Sequence, residues 1–441
     1  MSAGAAPLVR TAAALMTSTV AASAFGFVFW VAAARWFPAE AVGTVSAAVS
    51  ALTLLAAIAQ LNLTSMFARF VPGAGHRTRR LVLGGFGASA AMGVLLAAGF
   101  LAVGPRLDAL DGLGWDAVFV VAVVAASLLF IQDAVLAALG RAGSVPVKNT
   151  VAAAGRLALL PVFAALGGGP GLLLAWVLPG LATMLLINWW ILTRLARRRR
   201  EAPQPVADAG TGRGREVTSF VAAEYVNGVI TNMISFLPPV LVSAVLGPAQ
   251  GAYFYLPWTI GVGITTLLWN VVTSFVVSAS AGAAEARAHV RRAGALVLAV
   301  VVPATAVLTL AARPLLSVVG PEYAANGAGL LRVIGLSVPF TAVVLMVTAF
   351  AVMEKRMWRM VAVQAVLAAV CLGGGWLALV RAQSAMGPAW SLVIAQAAMA
   401  LVLLPGLVRR IRSVGTASWA GTADSQRRVP APRHTTEEVA A

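Results

Sequence analysis

Twelve long apolar segments, separated by short polar loops, dominate this sequence. Each is close to the ~20 residues that a helix needs to cross the hydrocarbon core of a bilayer. Inside a bilayer the backbone must satisfy its own hydrogen bonds, so segments of this length predict helices. The predicted spans are 12–35, 41–61, 81–104, 117–139, 148–167, 171–193, 218–246, 251–278, 292–312, 324–352, 358–380 and 386–408. The sequence therefore predicts an all-α polytopic membrane protein with twelve transmembrane helices.

The first apolar segment, which follows Arg10, could be mistaken for a signal peptide. It is longer than the ~7–15 apolar residues of a cleaved signal, so we predict that it is retained as a span. Tryptophans near the predicted outer ends of the spans, among them Trp30 and Trp258, are expected to form an aromatic belt at the membrane surface.

The distribution of charge predicts the orientation of the helices. Only 11% of the residues are charged, against about 25% in soluble domains. The net charge of +17 is spread over short loops, which argues against a nucleic-acid partner. Lys and Arg are concentrated in every second loop, a pattern that places those loops in the cytoplasm. We therefore predict that both termini are cytoplasmic.

One basic loop divides the chain. Residues 194–217 are rich in Arg, Pro and Gly and lack apolar periodicity, which is typical of a linker. We predict a six-helix bundle at 1–193, a cytoplasmic linker at 194–217, a second six-helix bundle at 218–408 and a disordered cytoplasmic tail at 409–441. The two bundles are expected to surround a central cleft.

The seventh span carries a polar face. Glu224, Asn227, Thr231 and Ser235 are spaced i, i+3, i+7 and i+11, so they lie on one side of a helix. A spanning helix with such a stripe faces protein or water and not lipid. We therefore predict that these four residues line the cleft.

Two further features belong to the same region. Pro238-Pro239 removes two backbone donors, and we expect the seventh helix to be broken there and the pair to act as a hinge. The eighth span also has a polar side, which includes Asn270 with Trp269 beside it. We predict that both residues line the cleft.

A few ionisable residues lie inside predicted spans, where a charge costs about 2.5–3.5 kcal/mol or more. Asp133, Arg156 and Glu224 are each predicted to lie roughly 8–12 Å from the cytoplasmic edge. Asp133 and Arg156 are on consecutive antiparallel helices, which makes them candidates for an ion pair. The alternative to a transport role is a structural ion pair or side chains that reach toward the inner interface.

No enzyme site is expected. The sequence has no glycine-rich phosphate loop followed by Lys, no HExxH and no carboxylate pair beside a nucleophile. One cysteine, Cys371, excludes an intrachain disulfide, and the three histidines lie in loops or the tail. We expect neither a metal site nor a cofactor.

Several short motifs resemble the multidrug/oligosaccharidyl-lipid/polysaccharide exporter superfamily, and most closely its polysaccharide branch, the Wzx-like flippases. The segment 36–43 resembles the entry to that family's second span, and 246–253 resembles the matching stretch of the second half. Gly320 to Tyr323, with 330–332 and 337–339, resembles the run before the tenth span. The resemblance covers almost the whole chain in the number and topology of its spans.

This resemblance implies a flippase of the bacterial cytoplasmic membrane. Its substrate would be an oligosaccharide linked to polyprenyl diphosphate, moved by alternating access for cell-surface polysaccharide biosynthesis. Arg156 would contact the diphosphate, and Glu224 would hydrogen-bond sugar or carry a coupling proton. Membrane lipids, a polysaccharide polymerase and glycosyltransferases are the implied partners. Family flippases often have a markedly cationic cavity, whereas this chain offers only Arg156 and Arg332.

Three other functions compete with this interpretation. A proton- or sodium-coupled drug or organic-cation antiporter of the same superfamily would use Glu224 or Asp133 as its acid. A peptidoglycan-precursor flippase usually has fourteen spans, which argues against it. A membrane scaffold of a glycan-synthesis complex would transport nothing, and it would tolerate alanine at Asn227, Thr231 and Ser235.

Overall fold

The computed structural model describes residues 24–104, 113–166, 169–197, 214–279, 286–353 and 356–413. Within these ranges every regular element is a helix. The helices are α1 (Ala24–Trp36), α2 (Ala39–Ala59), α3 (Leu63–Phe70), α4 (Thr78–Val103), α5 (Leu113–Ala138), α6 (Ser144–Leu166), α7 (Gly169–Arg197), α8 (Gly214–Leu246), α9 (Pro248–Ala279), α10 (Ala286–Leu310), α11 (Ala312–Ser317), α12 (Pro321–Met353), α13 (Met357–Ala382) and α14 (Met386–Ser413).

Ten of the described helices are long and apolar enough to cross a membrane. The first and ninth predicted spans correspond to shorter apolar helical segments, Ala24–Trp36 and Gly294–Leu310, and residues 1–23 lie outside the described ranges. The all-helical, multi-pass prediction is confirmed. The number of twelve spans, the position of the termini and the limits of the four predicted regions stay predictions, and most of the linker and tail lies outside the described residues.

Two short helices were not predicted, because they are too short to span a membrane. The first, α3, packs against α5. It also contacts α4, where an aromatic ring of α3 lies against a glycine. The Phe67 side chain is fully buried, and a Cβ added at Gly85 would lie 2.4 Å from its ring. Glycine is therefore required at position 85. This packing leaves a groove beside α3 and α4.

Helix α2 is the element that joins the two parts of the described chain. It packs against α4, α5 and α7 on one side and against α8 and α9 on the other. At the first turn of α2, its backbone lies directly against that of α9. A Cβ added at Gly43 would lie 1.7 Å from the Pro248 carbonyl oxygen. At its last turn the Tyr225 hydroxyl of α8 donates a hydrogen bond to the Ile58 carbonyl, at 2.9 Å.

The aromatic residues near α1 form part of the core. The Trp30 ring is only 1% exposed, and it lies 5.4 Å from the Trp176 ring and 4.7 Å from the Tyr255 ring, centroid to centroid. Trp258 is 4% exposed. The prediction that Trp30 and Trp258 belong to an outer aromatic belt is therefore wrong. Their depth along the span was compatible with a belt, but both face other helices and not lipid.

Candidate functional site

Helix α8 is continuous from Gly214 to Leu246 and passes through both prolines, so the predicted break is wrong. Pro239 lacks the N–H that would bond to the carbonyl of Ser235, four residues earlier. That freed carbonyl instead accepts a hydrogen bond from Trp258 Nε1 of α9, at 2.7 Å. A neighbouring helix thus supplies the missing donor, as membrane helices require. A hinge at Pro238 and Pro239 stays a prediction.

The polar face of α8 borders a cavity with a volume of about 330 Å³. Its wall is formed by α8, α9, α12, α13 and α14, so it lies among the helices that follow the linker and not between the two halves of the chain. The predicted residues Asn227, Thr231, Ser235 and Trp269 all line it. The other polar or aromatic lining residues are Asn232, Trp258, Thr265, Thr266, Ser337, Thr341, Thr348, Gln364 and Gln396.

Two amide oxygens in the cavity wall lack a hydrogen-bond donor. Asn227 Oδ1 and Gln396 Oε1 are buried and have no partner within the described chain. By contrast, the Thr231 and Ser235 hydroxyls donate to carbonyls of their own helix, at 2.9 and 3.0 Å. Burying a polar group without a partner is unfavourable. Both oxygens are covered by neighbouring atoms, so a ligand hydroxyl can reach them only after the Asn227 and Gln396 side chains turn toward the cavity.

The cavity is also uncharged. Every described residue in its wall is neutral. The indole of Trp269 adds apolar surface among the amides and hydroxyls, whereas the Trp258 ring is 4% exposed and stacked on Phe254. Binding sites for small organic molecules combine such apolar surface with a few placed polar groups. The described wall thus favours a neutral ligand part with hydrogen-bonding groups.

Glu224 lies outside the cavity wall. Its carboxylate accepts hydrogen bonds from Asn62 Nδ2 at 3.2 Å and from Ser65 Oγ at 2.9 Å. The Asn62 amide also donates to the Val221 carbonyl, at 3.1 Å. These bonds join α8 to Ser65 of α3 and to Asn62, which precedes α3. We call the contact of Glu224 with Asn62 and Ser65 the Glu224 latch.

The Asn62 side of the latch has an unusual backbone. Leu61 and Asn62 have φ values of 50° and 52°, which place both in the left-handed region. Residues other than glycine persist there only when surrounding contacts hold them. The bonds from Asn62 to α8 are such contacts, so the turn and the latch stabilise each other.

Asp133 is paired with Lys148 and not with Arg156. Lys148 Nζ lies 2.6 Å from an Asp133 carboxylate oxygen and donates to the Leu129 carbonyl at 2.9 Å. The predicted pairing with Arg156 is wrong because α6 begins at Ser144, which brings Lys148 inside the helix. The predicted span begins only at Lys148 itself, four residues later than the helix. The Asn149 amide also donates to Asp133, at 3.4 Å.

Arg156 lies among aromatic rings. Its guanidinium carbon is 3.9 Å from the centroid of the Trp176 ring, a cation–π contact. Arg156 Nε is buried and has no hydrogen-bond partner among the described residues. Because Trp176 packs on Trp30, which packs on Tyr255, Arg156 belongs to this aromatic cluster and not to the Asp133–Lys148 pair. The three predicted charges therefore do not come together.

The observed cavity wall differs from the predicted one on α9, α13 and α14. Asn270 follows Trp269 on α9 and is not part of the cavity wall. Gln364 and Gln396 line the cavity and were not predicted. Each is the single amide side chain of its predicted span. Because polar groups inside a membrane mark functional surfaces, this feature of the sequence could have identified both residues. No group of three or more His, Cys, Asp or Glu in the described ranges could hold a metal ion.

Comparison with known proteins identifies the fold. Neither a protein-family model nor a curated protein sequence matches the chain. Among solved structures, the inward-facing conformation of a multidrug resistance MATE family transporter of the MOP superfamily matches with a TM-score of 0.65 and 14% identity. That match covers 90% of this chain and 96% of the other.

Two further structures agree. The outward-facing conformation of a multidrug resistance MATE family transporter matches with a TM-score of 0.60 and 15% identity, over 92% of this chain and 95% of the other. A MATE structure in the straight conformation gives 0.61 and 15%, over 92% and 96%. The chain therefore has the fold of MATE transporters, and at these identities the likeness establishes the fold alone.

Proposed function

We propose that this protein is an alternating-access flippase that moves an oligosaccharide linked to polyprenyl diphosphate across the bacterial cytoplasmic membrane. The sugar part would bind in the cavity formed by α8, α9, α12, α13 and α14 while the prenyl chain stays in lipid. A role in cell-surface polysaccharide biosynthesis, beside a polymerase and glycosyltransferases, is part of this proposal.

The single observation that carries the proposal is the neutral cavity with amide and hydroxyl side chains in its wall. Sugars are rich in hydroxyl donors, and the Asn227 and Gln396 amides of the cavity wall would bond to them once these side chains turn inward. The indole of Trp269, which lines the cavity, suits the apolar C–H face of a sugar ring. A drug–cation antiporter would place an acid where its substrate binds, and the described wall holds none. Both carboxylates considered for that role, Glu224 and Asp133, are engaged elsewhere.

The fold supports the transport cycle. Structures with this fold include inward-facing and outward-facing conformations of a MATE transporter, and such pairs are the basis of alternating access. The comparison is equally compatible with a drug antiporter, so the choice between the two substrates rests on the cavity.

Arg156 supports the placement of the diphosphate. A buried guanidinium in a membrane protein is unfavourable unless it has a partner, and within the described chain Arg156 has an aromatic face but no acidic partner. Arginine binds phosphate oxygens through several N–H groups at once. We expect the diphosphate to supply the missing hydrogen-bond acceptors.

The test is complementation in a bacterium from which the gene for this protein is deleted. The readouts are surface polysaccharide and the lipid-linked oligosaccharide that accumulates inside. The double variant Asn227→Ala with Gln396→Ala removes two hydrogen bonds of roughly 1 kcal/mol each. It should lower export by about 10- to 30-fold. Ser243→Ala is the matched control, because Ser243 is buried on α8 and outside the cavity wall.

Two results would overturn the proposal. If expression raised resistance to cationic drugs and left the surface polysaccharide unchanged, the antiporter would be the correct function. If the triple replacement of Asn227, Thr231 and Ser235 by alanine restored the polysaccharide fully, a scaffold would explain the data better.

A further inference from the structure

A second hollow lies in the half of the chain that precedes the linker. It is an open groove of about 820 Å³ between α3 and the start of α4. Leu63, Met66 and Leu81 give it an apolar surface, and Arg77 and Arg80 stand at its border. We call it the α3–α4 groove. It lies in a predicted cytoplasmic loop region.

The two arginines of the groove have no acidic partner. Arg77 and Arg80 are exposed, and neither forms a side-chain hydrogen bond or ion pair with any other part of the described chain. The sequence has no Asp or Glu between Glu40 and Asp108, so this stretch cannot neutralise them. Two cations thus stand unpaired beside an apolar surface.

Glycines keep the groove open and its floor fixed. At Gly84, which lines the groove, an added Cβ would meet nothing within 4 Å. At Gly85 the Phe67 ring occupies the corresponding space, which holds α3 in place. The space at Gly84 is therefore empty because glycine has no side chain, and no side chain has to move to open it.

We propose that the α3–α4 groove binds one anionic phospholipid. The lipid phosphate would lie between Arg77 and Arg80, and an acyl chain would lie on Leu63, Met66 and Leu81. Basic pockets beside membrane helices bind acidic head groups in this manner. The charge of the groove favours an anionic over a zwitterionic lipid, and its apolar surface favours a lipid over a soluble anion. This proposal does not depend on the function assigned to the cavity.

The test uses the full-length chain purified in detergent and stripped of lipid, with phosphatidylglycerol added and bound lipid counted by native mass spectrometry. Each arginine near a surface contributes about 1 kcal/mol to binding of an anionic lipid. The double variant Arg77→Gln with Arg80→Gln should therefore weaken the binding of one phosphatidylglycerol by about 30-fold. Arg79→Gln is the matched control, because Arg79 is an exposed neighbour that does not line the groove.

A second pair of variants tests the apolar part. Gly84→Leu should fill the groove and abolish the bound lipid while both arginines remain. Gly87→Leu should leave it bound, because Gly87 is an exposed glycine of the same helix that lies outside the groove and also has open space at its Cβ. The thermal stability of both variants should match that of the parent chain, which separates filling of the groove from misfolding.

Three outcomes would contradict the proposal. Equal binding of phosphatidylcholine would show that charge is not recognised. Competition by glycerol phosphate at the same concentration as the lipid would show an anion site without a lipid role. Unchanged binding in Gly84→Leu would show that the bound lipid lies elsewhere.

Discussion

At the scale of single residues, the carbonyl oxygen of Ser235 has a donor only because Trp258 lies on the neighbouring helix. Pro239 removes the usual helical donor and the indole N–H replaces it at 2.7 Å. Trp258→Phe should leave this carbonyl unpaired and destabilise the protein by about 1 kcal/mol. The measurement is reversible unfolding in mixed detergent micelles.

A double-mutant cycle isolates this bond from the loss of ring volume. In a Pro239→Ala background the backbone N–H of residue 239 returns to Ser235, so Trp258→Phe should be less harmful there by about 1 kcal/mol. A coupling energy below about 0.3 kcal/mol would mean that the indole bond contributes nothing.

Residue spacing predicted part of the site and missed part of it. The i, i+3, i+7, i+11 pattern correctly put Asn227, Thr231 and Ser235 on one face, because helical periodicity alone decides that. The ion pair of Asp133 was predicted with the wrong partner, since the sequence cannot show that α6 begins four residues earlier than its apolar run and so contains Lys148. The partner of Asp133 depended on that boundary.

At the scale of elements, the Glu224 latch ties α8 to Ser65 of α3 and to Asn62, which precedes α3. Glu224→Ala removes the acceptor of Asn62 and Ser65. Losing two such bonds should destabilise the contact between α3 and α8 by about 1–2 kcal/mol. The fraction of molecules in which the two helices are separated should then rise by about 5- to 30-fold.

Spin labels at Phe70→Cys on α3 and Phe220→Cys on α8 can measure this separation, because both positions are exposed and the single native cysteine, Cys371, is buried. Glu322→Ala is the control, since that carboxylate accepts a bond from Tyr253 between α9 and α12. A distance distribution identical to that of the parent chain would exclude a latch.

Elements were easier to predict from the sequence than their packing. Long apolar runs gave the spanning helices, whereas α3 and α11 have no such run. The cavity depends on which faces of α13 and α14 turn toward α8, and Gln364 and Gln396 reveal this only once the helices are packed. The sequence therefore predicts a cleft between two bundles but does not reveal the cavity that α8, α9, α12, α13 and α14 enclose.

At the scale of the whole molecule, α2 meets the second half of the chain at both of its ends. At the first turn the contact is between backbones, with 1.7 Å from an added Gly43 Cβ to the Pro248 oxygen. Because C···O contacts need about 3.3 Å, Gly43→Ala should move α2 and α9 apart at this end by roughly 1.6 Å or more.

Labels at Glu40 on α2 and Gln250 on α9, which are both exposed, can detect this change by distance measurement. Gly87→Ala is the control, because an added Cβ there meets nothing within 4 Å. If Gly43→Ala left the distance unchanged, the two backbones would not form a closing contact in solution.

The neutral cavity has an electrical consequence. Moving one elementary charge through a potential of 100 mV changes the free energy by about 2.3 kcal/mol. Because the described cavity wall is uncharged, reorientation of the empty cavity displaces no charge of its own. On the proposed mechanism, the charges on which the membrane potential acts are therefore the Arg156 guanidinium and the substrate, and an inside-negative potential drives an anionic diphosphate outward. The resting voltage of the cell would then give transport its direction without a coupling ion.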